Sequence, residues 1–249
     1  MRKIVIVIAS ALLLVFFTLF FFLTPAQIIS QINDAQHKVV FSARQSGGNF
    51  VTGYRFTNAS LAGNNGTKLL ILDEVMLDLR LLPLFLGRIG IDIHSKGITA
   101  ALSAGLDGSV NGVANFTDVP LDTAAFISPA QAAFTAPISG RVIASGRKAD
   151  IEVRADEIIW KKLSVSGFEL PPDIFEQGKG GISVERGRII VKSLAFEGSK
   201  GYARLSGEII NGQRHLTLEL FPNDWDDPML IPLERYKVSP GQYKMPFNF

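Results

Sequence analysis

Three histidines, His37, His94 and His215, are the only imidazoles in 249 residues, and none stands in a spaced pair such as His-Glu-x-x-His. A metal site would have to be assembled from distant points of the chain. The absence of cysteine removes thiolate ligands, thiol catalysis and disulfides together. Asp73-Glu74 is an adjacent carboxylate pair, but neighbours in a strand point to opposite faces, so the two do not converge on one substrate for acid and base work. Asn223-Asp224-Trp225-Asp226-Asp227 offers oxygens of the kind calcium takes, yet it lacks the glycine and distal glutamate of a dedicated loop and reads as a solvated turn. Gly178-Lys179-Gly180-Gly181 lacks the frame of a phosphate-binding loop and reads as a hairpin turn, and no Gly-x-Ser-x-Gly elbow presents a nucleophilic serine. The residue types therefore predict no catalytic group, no metal and no cofactor.

The elements that carry these residues begin in a membrane. Residues 4–23 form an apolar run of twenty positions broken only by Ser10 and Thr18, with Arg2 and Lys3 ahead of it. At the rise of an α-helix this run covers about 30 Å, the thickness of a bilayer's hydrocarbon core. A cleaved signal would have a shorter apolar core and small residues before the cut, whereas here Thr24-Pro25-Ala26 places a proline at the boundary. The expectation is a retained single-pass anchor. Arg2 and Lys3 hold the N-terminus in the cytoplasm and send the rest of the chain across.

All 23 acidic residues and 23 of the 25 basic ones lie beyond residue 23, so the exported part is formally neutral. Its longest basic runs are pairs such as Arg147-Lys148 and Lys161-Lys162, which is no footprint for nucleic acid. The sequons at Asn58, Asn65 and Asn115 read as chance. Thr24 and Pro25 suit a helix start, and Ile28, Ile29 and Ile32 follow at helical spacing. This predicts a short helix over 24–36 whose apolar stripe rests on the bilayer surface or under the domain, with a partner-binding role as the alternative.

From residue 37 the period changes to two. Ile89, Ile91 and Ile93 alternate with Gly90, Asp92 and His94, and the pattern recurs through 98–116, 151–154, 202–205 and 216–220. Glycine-containing joints separate these runs, Asn211-Gly212 being the strongest hairpin signal. The fold class expected is mainly β: one transmembrane helix, then a curved, mostly antiparallel sheet in a single domain over 37–249. Residues 79–86, 120–137 and 171–177 break the pattern and read as short helices or caps over a sheet edge. In 100–114 the alternating inward set mixes Ala and Gly with Leu and Val, so that one face is apolar without being filled by bulk. Leu102, Leu106, Val110 and Phe116 mark a candidate groove for acyl chains, although an ordinary sandwich core shows the same alternation.

Three stretches together resemble a known family. They are Pro25-Ala26 after the anchor; Leu205-Ser206-Gly207-Glu208-Ile209 with Leu216-Thr217-Leu218-Glu219-Leu220-Phe221-Pro222; and the terminus over 233–247, with Tyr236, Gly241-Gln242-Tyr243 and Met245-Pro246-Phe247. The chain resembles the protein N family of the type II (general) secretion pathway, which is in turn similar to AsmA-like envelope proteins. The resemblance implies an inner-membrane protein with a periplasmic β-domain, non-enzymatic, docking with other type II secretion subunits. The AsmA-like similarity implies phospholipid as an alternative partner. Tyr236, Tyr243, Phe247 and Phe249 are candidate partner contacts, with core packing as the equal alternative. Neither family supplies a catalytic residue.

Overall fold

A computed structural model describes residues 24–35, 39–49, 51–63, 68–80, 86–105, 107, 109–121, 132–165, 168–170, 173–210, 213–224 and 227–246. It is a mainly β, antiparallel structure whose residues group into two compact units, one ending at Lys96 and the other starting at Gly97. Each has its own apolar core, where the sequence pattern suggested one. No helix among the described residues is long and apolar enough to cross a membrane, and the expected span over 4–23 lies outside them.

The first unit opens with helix α1 (Pro25–Ala35). Thr24 and Gln27 cap it reciprocally: the Gln27 amide donates to Thr24 Oγ1 at 3.3 Å, and the Thr24 amide donates to Gln27 Oε1 at 2.9 Å. Strands β1 (Val39–Ser42) and β2 (Gln45–Asn49) pair in turn with the two halves of β3 (Gly53–Gly63). β4 (Lys68–Arg80) follows β3, and β5 (Arg88–Ser95) follows β4. Tyr54, Phe56, Ala59, Val75 and Leu77 form the buried inner face, with the Phe41 ring edge-on to Phe56 at 5.7 Å. Asn58, at φ +48°, switches the inward set of β3 from Tyr54 and Phe56 to Ala59. Ile28 and Ile29 of α1 pack on this core, so the helix's apolar side faces the domain.

The second unit is built from β6 (Ile98–Gly105), β7 (Val110–Leu121), β8 (Ala132–Ser145), β9 (Lys148–Ala155) and β10 (Ile159–Val165). It continues with β11 (Phe168–Glu169), β12 (Gln177–Glu185), β13 (Arg188–Gly198), β14 (Gly201–Ile210) and β15 (Gln213–Pro222). A 3-10 helix (Pro228–Tyr236) then leads to β16 (Lys237–Ser239) and β17 (Gln242–Pro246). The sheet order is β6-β7-β8-β9-β12-β13-β14-β15-β17-β16, and β10, carrying β11, lies against the first residues of β8. The hairpins follow from their turn residues. Arg186 and Gly187, at φ +46° and +82°, join β12 to β13 as the two-residue turn that matches strand twist. Ile210 pairs with Gln213 across Asn211-Gly212, as the sequence predicts.

Trp160 anchors the core of this unit. Its ring packs between Phe134 and Phe196, at 5.1 and 5.9 Å between centroids, and its Nε1–H donates to the Phe175 carbonyl at 2.8 Å. Ile158, Leu163, Leu170, Ile174 and Phe175, with Leu230 and Leu233 of the 3-10 helix, join Leu194, Leu205, Leu218 and Met245 of the sheet in one buried cluster.

Several sequence expectations change here. Gly178-Lys179-Gly180-Gly181 is strand, not turn: it lies within β12, where Gly178 lets Ile158 and Phe196 close onto the backbone. Residues 120–121 and 132–137 extend β7 and β8, and 79–80 end β4, while 81–85, 122–131 and 171–172 lie outside the described residues. Residues 173–176 are irregular and not helical, and Ile174 and Phe175 serve as a cap over the core. The 3-10 helix was missed because Pro232 interrupts any helical period.

Candidate functional site: one apolar sheet face

Direct cross-strand partners share a face of a sheet. In the second unit the register runs Leu102–Gly112–Ala144–Ala149–Val184–Ile189–Ile209 from β6 to β14. The next row is Ala100–Ala114–Val142–Ile151–Ile182–Val191–Gly207–Leu216, and the third is Ile98–Phe116–Gly140–Val153–Gly180–Leu194–Leu205–Leu218–Met245. Every member of these rows is apolar as far as β14, and on β15 the first row continues with Arg214 opposite Ile209. The reverse face reads Thr99–Asn115–Arg141–Glu152, then Ala101–Val113–Ile143–Asp150–Ser183, then Ser103–Asn111, with Lys148, Glu185 and Arg188 beyond, so its polar and charged groups are interrupted by Val113 and the exposed Ile143. One side of the sheet is thus apolar from β6 to β14 and the other is mixed, carrying most of the charge.

The apolar side is not uniformly covered. Leu194, Leu205, Leu218 and Met245 are buried in the core cluster, whereas Leu102, Val110, Phe116, Val142, Val184 and Ile189 are only half-buried and belong to no core cluster. Small residues keep this part shallow. Phe116 lies over Gly140, where a Cβ would meet the ring's Cζ at 2.7 Å, so the aromatic occupies the space the glycine leaves. Gly112 and Gly207, at φ +148° and +133°, stand inside strands in a conformation that L side chains rarely adopt, and such positions bend a sheet. The half-buried rows cross six strands, β6 to β13, which at ordinary strand spacing is roughly 24 Å.

Of the candidate groove residues, Leu102, Val110 and Phe116 share this face, and Leu106 lies outside the described residues. Val142, Ile151, Val184 and Ile189 extend it and were not identified as groove residues from the sequence. Their alternation was visible in places, as at Ile151 and Val153, but only the register shows that six strands add to one surface.

The candidate partner contacts do not gather. Tyr243 is fully buried in the core, so it takes the packing alternative, and its hydroxyl has no hydrogen-bond partner among the described residues. Tyr236 is half-buried against the same core, with the Arg235 guanidinium 4.7 Å from its ring centroid. Phe247 and Phe249 lie outside the described residues.

The charged cluster around Asp150 lies on the reverse face. Asp150 accepts from Lys192 Nζ at 2.8 Å, Ser183 Oγ at 2.6 Å and Lys148 Nζ at 2.9 Å, and these donors, Lys192 foremost, hold its carboxyl well below the usual carboxylate range. The bulge between Gly181 and Ile182 leaves Lys192 as the extra residue of β13 and aims it at Asp150. Lys200 likewise lowers Asp173. His94 and His215 are exposed, and among the described residues no three His, Asp or Glu side chains gather as a metal site. Glu74 of the carboxylate pair is held by Arg55 at 2.9 Å, and Asn223 donates through Nδ2 to the Ser199 carbonyl as part of a turn.

Compared with known protein families, with curated proteins and with solved structures, the chain matches none.

Proposed function

We propose that this chain acts by binding and not by catalysis, as an inner-membrane-anchored periplasmic subunit of a type II protein secretion system. Three sequence features support the assignment to that machine: the apolar run over 4–23, the neutral exported part and the C-terminal resemblance. The observation that carries the binding role is the half-buried apolar face of β6 to β9, a surface large enough to seat a partner and free of charged side chains. The test is site-specific photo-crosslinking in cells from residue 102 or 142 of the full chain. Adducts with secretion subunits that disappear when Leu102 becomes Glu support the reading. A crosslinking pattern without any secretion subunit overturns it.

A second reading is favoured by the same face. Its rows mix Ala and Gly with Leu, Val, Ile and Phe, a lining that suits acyl chains, so the domain would hold or pass phospholipid in the envelope. Native mass spectrometry of the full chain separates the two readings, because only lipid handling gives co-purifying phospholipid that is lost on Leu102→Glu.

A further inference from the structure

We infer that the outer edge of β2 is a docking site for an extended polypeptide segment of another protein, which adds to the first unit as a strand. The inference is independent of the apolar face.

β1 and β2 run in one register along β3, so together they form an edge of that unit. Evolved edges are normally blocked by charge, proline, a bulge or a covering element. The β1 half is blocked. Asn33 of α1 sets its carboxamide against Phe41, donating from Nδ2 to the carbonyl at 2.9 Å and accepting the amide at Oδ1 at 2.7 Å, so one side chain takes the place of a neighbouring strand's peptide. The β2 half is not. Gln45–Asn49 reads QSGGN: it has no charge and no proline, is exposed over its first four residues and pairs only with β3 among the described strands. The nearest cation along the chain, Arg44, precedes the strand, and Arg55 of β3 stands opposite Gly47.

A hollow of about 450 Å³ adjoins this edge. Gly47 and Gly48 line it with Gln45, Arg55, Thr57 and Met76, and a Cβ added at Gly47 would meet nothing within 4 Å. Arg55 is already neutralised by Glu74, so the rim offers Met76 and uncharged groups to a side chain. Backbone donors and acceptors at strand spacing are complemented by another extended backbone, and a hollow beside them takes one of its alternate side chains. The occupant is therefore a segment of about five residues that is unstructured when free, with an apolar side chain for the hollow.

The test uses the full chain and a displayed library of random octapeptides. Gly47 has neither a positive φ nor a close neighbour, so Gly47→Lys leaves the fold intact while placing a charge and a long side chain at the edge. We expect enriched peptides that slow amide exchange within 45–49 and bind Gly47→Lys at least about tenfold more weakly, while Gly47→Ala keeps binding. Unchanged melting and circular dichroism of Gly47→Lys show that the loss is local. The inference is overturned if no peptide is enriched, if enriched peptides bind Gly47→Lys equally, or if they protect another segment. Sedimentation showing a dimer that Gly47→Lys dissolves would assign the edge to a second copy of this chain and overturn it equally.

Discussion

Leu102→Glu gives the lipid reading a numerical test. Leu102 is half-buried, lies outside the core cluster and faces Gly112, so a glutamate there reaches water in the free protein and costs the fold about 1 kcal/mol of lost apolar burial. With an acyl chain seated over it, the carboxylate is cut off from water and binding demands its neutral form. From an ordinary glutamate value of about 4.3, protonation at pH 7 costs about 3.7 kcal/mol, a weakening of roughly 500-fold. The sign follows from linkage: the bound state has the raised pKa and takes up a proton, so affinity improves as pH falls. At pH 5 the penalty shrinks to about fivefold. The assay is titration of the full chain in amphipol with a zwitterionic lysophospholipid carrying a fluorescent acyl chain, whose headgroup does not titrate in this window. Wild type should bind with little pH dependence, and the variant's deficit should close by nearly tenfold per pH unit between 7 and 5. A pH-independent deficit would mean that the substitution acts by distorting the sheet, and an unchanged affinity would remove lipid from this face.

Trp160→Phe leaves the Phe175 carbonyl without its donor in a buried place and opens a cavity, so unfolding in urea should show a loss of about 2–4 kcal/mol. Tyr243→Phe removes a buried hydroxyl that has no partner among the described residues, so the melting temperature should hold or rise, by up to about 1 kcal/mol in stability; a clear loss would reveal a further hydrogen bond. Asn33→Ala removes both bonds to Phe41 and should cost about 1–2 kcal/mol locally, seen as faster amide exchange at Phe41 and in 25–35. Asp150, with its folded pKa depressed, stabilises above the ordinary carboxylate value and loses that contribution as pH falls through the folded one. Carbon-detected NMR should find its carboxyl still ionised at pH 3, and Asp150→Asn should flatten the acid limb of the stability curve.

The β class was legible because period-two alternation needs no partner to be visible: Ile89, Ile91 and Ile93 declare a half-buried strand by themselves. Turns were legible where two residues decide them, as at Asn211-Gly212. Two cores were not legible, because alternation says that a face is buried and not against what. Trp160 illustrates the gap, since its partners Phe134, Phe175 and Phe196 come from three other segments of the chain. The glycines of 178–181 misled for a related reason. In isolation they signal a turn, but here they admit neighbouring side chains and backbone onto β12, a demand that comes from the packing around them.

The division of the apolar face follows from side-chain volume. Where the rows carry Leu194, Leu205, Leu218 and Met245, bulky groups meet the capping aromatics and close a core; where they carry Gly112, Ala114, Ala144 and Ala149, there is too little volume to fill the space above the sheet. Replacing these small residues by leucines would improve burial only if something packed against them. Glycine and alanine alternating with half-buried Leu102, Val110 and Phe116 therefore suit a surface that is covered part of the time, by a partner or by acyl chains, better than a core left half built. Ala114→Leu separates these possibilities: in a core left half built the added side chain is buried and raises stability in urea unfolding, while at a binding face stability is nearly unchanged and binding of the occupant is weakened.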